Sequence, residues 1–113
     1  MNWIELIHTE QVSTLLEEST RNPVIIFKHS IRCSISKAAL DRLERHWNND
    51  EMAVVKPYYL DLISYRSLSD EIARFFDIEH ESPQIIVIKN KKAIYDSSHM
   101  AINYTAIKDI LND

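Results

Sequence analysis

Two short runs constrain this chain most: Val24-Ile25-Ile26-Phe27 and Ile85-Ile86-Val87-Ile88. Each is apolar at every position. A strand with one wet face alternates with period two, so an unbroken run marks a strand buried on both faces. Such strands need cover on both sides, and the rest of the chain must supply it. Both runs follow turn signals, Asn22-Pro23 and Ser82-Pro83. Neither run approaches the roughly 20 apolar residues that span a bilayer, so no membrane partner is expected.

The remaining segments alternate between two periods. Trp3–Ile7 can open the sheet. Thr9 is placed to cap a helix carrying Val12, Leu15 and Leu16 on one face and Glu10, Glu17 and Glu18 on the solvated one. From Cys33 or Ser34 a helix runs to about Trp47, with Ile35, Ala39, Leu43 and Trp47 as its apolar stripe. Ala53–Leu62 reads as a strand in which Pro57 removes one ladder donor. Ser67–Phe76 reads as a helix burying Leu68, Ile72, Phe75 and Phe76. Gln84–Ile88 is a strand, Asn90-Lys91 a tight hairpin and Ala93–Tyr95 the returning strand. A last helix covers about Ile102–Leu111, with Ile107, Ile110 and Leu111 inward. The order β-α-β-α-β-α-β-β-α implies an α/β fold: parallel strands with right-handed crossovers, an antiparallel hairpin at one edge, and helices on both faces of a mixed sheet of four to five strands.

Composition narrows the function. The 113 residues suit one domain, 1–113, and 45% hydrophobic residues can fill a core. A net charge of −4 with interspersed signs offers no basic face for nucleic acid. The start, MNWIELIHTE, lacks the basic and apolar regions of a signal peptide, so a cytoplasmic location is expected. The chain has no glycine, which excludes glycine-rich phosphate loops and leaves positive-φ turns to Asn, Asp or strained residues. His8, His29, His46 and His80 show no metal-ligand spacing, and no metal site is expected.

One cysteine, Cys33, precludes an internal disulfide. It can be inert packing or a reactive thiol. Its place straight after a buried strand and at the start of a helix favours reactivity, because unpaired N–H groups and the helix dipole stabilise a thiolate there. Ser36, one turn on, is spaced to bring its hydroxyl toward the sulfur, and Arg32 adds a cation. With no second thiol, only a monothiol cycle is open.

Cys33-Ser34-Ile35-Ser36 after the second strand, and Ser82-Pro83 before a later buried strand, resemble the redox motif and the cis-proline loop of thioredoxin-like proteins. More narrowly, the chain resembles the monothiol bacilliredoxins, general-stress proteins of bacillithiol-producing bacteria. Their Thr-Cys-Pro-Ile-Ser run appears here as Arg32-Cys33-Ser34-Ile35-Ser36. Trp3, the Lys28-His29-Ser30 lead-in and the Ser98-His99 loop are similar too. The resemblance implies a thioredoxin-like fold and a thiol-disulfide oxidoreductase acting through Cys33, Ser36 and Pro83. It also implies bacillithiol as co-substrate, no tightly bound cofactor, and S-thiolated cytosolic proteins as partners. Arg32, Ser34, Lys37, Ser82, Ser98 and His99 would contact the substrate. A redox-sensing or interaction protein, in which Cys33 is merely modified, is the competing expectation. Iron–sulfur binding of the monothiol glutaredoxin kind is disfavoured, because Ser34-Ile35 stands where that motif has Gly-Phe.

Overall fold

The computed structural model describes residues 1–112. Its elements are β1 (Ile4–Glu5), α1 (Glu10–Glu18), β2 (Val24–His29), α2 (Ser34–His46), β3 (Lys56–Asp61), α3 (Arg66–Phe76), β4 (Gln84–Lys89), β5 (Lys92–Ser98), a 3₁₀ turn (His99–Ala101) and α4 (Tyr104–Leu111). One sheet has the order β1-β3-β2-β4-β5. β1, β3 and β2 run parallel, while β4 is antiparallel to both β2 and β5. The two unbroken apolar runs are therefore adjacent central strands.

Alternation across β2 divides the core. Val24 and Ile26 face α1 and α3, packing with Leu15, Leu68, Ile72, Ile86 and Ile88. Ile25 and Phe27 face α2 and α4, packing with Ala39, Leu43, Ile85, Val87 and Ile107. Burying both faces of two strands under helices is the main stabilising term, at roughly 25 cal/mol per Å² of apolar surface. Among the described residues, no helix is long and apolar enough to cross a membrane.

Several boundaries differ from the sequence expectation for physical reasons. The third strand is shorter than Ala53–Leu62, spanning Lys56–Asp61. Lys56 N–H bonds Pro23 C=O on the β2 side, so the next residue, Pro57, presents its missing donor toward β1. Pairing with β1 starts only at Tyr58, so the ladder loses nothing. Thr9 occupies the helix start but makes no side-chain cap, its hydroxyl reaching Glu71 instead. The Gln11 carboxamide oxygen accepts from the Ile7 and His8 N–H groups and so ties the segment ahead of the helix to its first turn. Ile35 is 52% exposed and Phe75 55%, so neither belongs to the core stripe assigned to it. Trp47 follows the last residue of α2 and packs against Tyr104 at the core edge. α4 begins at Tyr104, capped by the Asn103 side chain, and Ile102 is buried ahead of it.

Without glycine, positive φ falls on Asp77, Asn90, Lys91 and His99. Asp77 ends α3 in the left-handed conformation, and its N–H together with that of Ile78 closes the helix onto Arg74 and Ala73. Asn90 and Lys91 both at positive φ turn the β4–β5 hairpin, as a two-residue type I′ connection requires.

Candidate active site

The site forms at the end of the sheet where β2 finishes and β4 begins. Lys28 registers with Gln84 across this pair, so the residues following β2 and those preceding β4 lie side by side. After His29, the chain turns through Ser30-Ile31-Arg32 to Cys33. The Cys33 N–H donates to Ser30 C=O at 3.1 Å, and the Cys33 carbonyl accepts the Lys37 N–H at 3.1 Å. Cys33 thus occupies the N-cap position of α2 in extended conformation, half-buried. The free N–H groups of the first turn lie directly beyond it.

On the β4 side, the Ser82–Pro83 peptide is cis, as the resemblance implies, and Pro83 is buried. The Pro83 carbonyl accepts the His99 N–H at 3.0 Å. Ser98 registers with Gln84 at the end of β5. The His99 ring lies 3.6 Å from the Glu81 carboxylate, straddling the proline loop. Ser82, Pro83, Ser98 and His99 are therefore one wall, beside the end of β2 from which Cys33 is carried. Arg32, Ser34 and Lys37 are exposed around the thiol, and among the described residues Arg32 and Lys37 make no ion pair.

Ser36 departs from expectation. It is fully buried, and its hydroxyl accepts the Ser30 N–H at 3.1 Å and lies 2.7 Å from His29 Nδ1. The hydroxyl is thus engaged with the loop beneath the thiol, and among the described residues it has no hydrogen bond to the sulfur. The reason is His29: the strand continues two polar residues past Phe27, and His29 lands on the α2 face under the helix start. Burial pushes the His29 ring below the ordinary imidazole range, against the opposing pull of Asp61, Asp41 and Glu44. Neutral imidazole bonded to Ser36 ties β2, the loop and α2 together. The His29 carbonyl also accepts the Leu62 N–H, which anchors the segment after β3 to the same spot. Sequence reasoning missed this role, because a histidine after an apolar run reads as the start of a loop.

A single thiol at a strand–helix junction, at the sheet end that also carries a cis-proline, on a β1-β3-β2-β4-β5 sheet with helices on both faces defines a thioredoxin-fold protein of the monothiol kind. The family model for monothiol bacilliredoxin BrxC matches residues 4–107, and the chain belongs to that family. A solved thioredoxin-fold protein, named as a candidate oxidoreductase, is 31% identical with a TM-score of 0.80, covering 94% of this chain and 90% of that one. Malassezia sympodialis thioredoxin is 14% identical with a TM-score of 0.73, covering 98% and 89%. Schistosoma mansoni thioredoxin is 20% identical with a TM-score of 0.69, covering 98% and 94%. The last two share the fold. Family and fold together support a thiol oxidoreductase.

Proposed function

We propose that the protein removes a low-molecular-weight thiol, bacillithiol, from protein mixed disulfides by monothiol exchange at Cys33. The observation that carries this reading is the placement of the chain's one cysteine, half-exposed at the start of α2, with a serine one turn further on. The Cys33 thiolate attacks the small thiol's sulfur. A Cys33–small-thiol disulfide forms, the S–S bond between the small thiol and the protein's cysteine breaks, and that cysteine leaves as a thiolate that takes a proton from water. A second bacillithiol, as thiolate, attacks the small thiol's sulfur in that adduct. Cys33 leaves as thiolate and bacillithiol disulfide is released. No second cysteine can intercept the adduct, so the external thiol is obligatory.

Arg32 and Lys37 offer cations to the malate carboxylates of bacillithiol, and the backbone about Ser98 and His99 offers polar contacts. Ser82 precedes the buried cis-proline and offers its backbone to the segment bearing the target sulfur. The substrates are S-thiolated cytosolic proteins, and the repair belongs to the disulfide-stress response. Turnover tests the reading. A bacillithiolated model protein in large excess, with free bacillithiol supplied, should be cleared over many cycles by the wild type and left intact by Cys33→Ser. Clearance of no more than one equivalent per Cys33 would instead support the sensor role.

A further inference from the structure

Among the described residues Lys28 is the one lysine with no exposed surface, and the exchange chemistry makes no use of it. A buried ammonium is costly to desolvate, and a methionine would fill the same slot without that cost. What the charge holds is informative. Lys28 Nζ donates to the Ser69 carbonyl at 3.0 Å and lies 3.4 Å from His80 Nδ1. An ammonium has only donors, so the ring nitrogen must accept, which fixes His80 as the neutral Nε2–H tautomer in this contact. Ser69 Oγ lies 3.5 Å from the same nitrogen. Gln84, the register partner of Lys28, donates its side-chain amide to the Glu79 carbonyl at 3.0 Å. Two neighbouring strand residues thus reach the same segment.

That segment, residues 77–83, joins α3 to β4 and belongs to no helix or strand. It ends in Ser82-Pro83. Backbone bonds hold its two ends, Asp77 and Ile78 to α3 and Pro83 to His99, and side-chain ties hold the course between them. We propose that Lys28 is a positioning residue: through His80 and Ser69 it holds the 77–83 segment against the sheet and so fixes the Ser82–Pro83 wall for a docking protein disulfide. The inference rests on the exchange reading above for its consequence, and on the Lys28–His80–Ser69 cluster for its geometry. Lys28 touches neither the thiol nor the substrate.

Three variants test it. Lys28→Met should lower kcat/KM for a bacillithiolated protein about tenfold, the scale of one lost hydrogen bond to a charged group. The loss should fall mainly on KM. His80→Leu should reproduce it, and His80→Gln, which keeps an acceptor, should restore most of the rate. Attack of Cys33 on a small aromatic disulfide, which needs no loop, should stay unchanged in all three. Amide hydrogen exchange should quicken across residues 77–82 in Lys28→Met and remain as in wild type at the start of α2. Equal losses on both substrates, or no loss with unchanged exchange protection, would overturn the proposal. The exchange measurement decides the geometry by itself, so a wild type that leaves the mixed disulfide untouched would sink the exchange reading alone.

Discussion

Lys28 and His29 are consecutive in β2, both buried, and opposite in what they serve. Lys28 faces α3 and reaches forward to the segment before the cis-proline. His29 faces α2 and reaches back to the serine under the thiol. One strand end thus braces both walls of the site, because the period of two sends successive side chains to opposite faces. The two differ in charge. Lys28 keeps a proton at a desolvation cost, which lowers its pKa from 10.5 to about 8 against the pull of Asp70. His29 avoids the cost by staying neutral. The Lys28 side therefore stores an electrostatic penalty that pH can release, and the His29 side is a neutral hydrogen-bond chain.

The largest expected effect separates them by pH. Below about pH 8, folding must bury an ionised Lys28; the unfolded chain keeps that proton up to about 10.5. Between these values the unfolded state binds more protons, so stability rises with pH, by at most about 3 kcal/mol. Tyr58 and Tyr59 have pKa values raised by burial, so above pH 10 the unfolded chain loses those protons first and stability falls again. Urea unfolding between pH 8 and 10 should show the rise in wild type, and Lys28→Met should abolish it. Persistence of the rise in that variant would break the contrast.

Next in size is Ser36→Ala, which strips a partner from both the Ser30 N–H and His29 Nδ1. Urea unfolding at pH 7 should show a loss of about 1–3 kcal/mol. Combined with His29→Leu, the loss should be strongly non-additive, since both changes cut one chain. Combined with Lys28→Met it should add, because the two networks lie on opposite faces and share no partner. A smaller acid effect acts on both sides. His29 and His80 are each depressed, His80 by burial first and then by Lys28 and Arg66. The unfolded imidazoles gain protons near pH 6.5 while the folded ones resist, so stability should decline on acidification below that value. Ring resonances followed by NMR should titrate below 6.5 for both. The smallest effect belongs outside the comparison: Phe75, exposed and edge-on to Phe76, should tolerate alanine within about 0.5 kcal/mol.

The end of β2 is also where the sequence stops being legible. The central strands, the hairpin at Asn90-Lys91 and the thiol at a helix start follow from local patterns, and the cis-proline at Ser82-Pro83 follows from the resemblance to thioredoxin-like proteins. The polar pair Lys28-His29 does not. An apolar run that turns polar ordinarily marks the strand's end, and only tertiary cover from α2 and α3 keeps the strand going and both residues dry. The same limit explains Ser36. Helical spacing pointed its hydroxyl toward the sulfur and could not foresee a buried imidazole and the Ser30 N–H as its partners. It also explains Ile35 and Phe75, whose apolar character says nothing about the helix edge they occupy. At positive φ, Asp77 and Asn90 are the expected residue types, whereas Lys91 and His99 are imposed by the hairpin and by the His99–Pro83 bond.

Transfer of the small thiol onto Cys33 is read out by intact-mass spectrometry of a single turnover without reductant. Wild-type protein mixed with an equimolar bacillithiolated protein should gain the mass of one bacillithiol at Cys33 while the substrate loses it. Ser36→Ala should still form the adduct, more slowly, and Cys33→Ser should form none. A wild type that remains unmodified while a dithiol redoxin clears the same substrate would contradict the account.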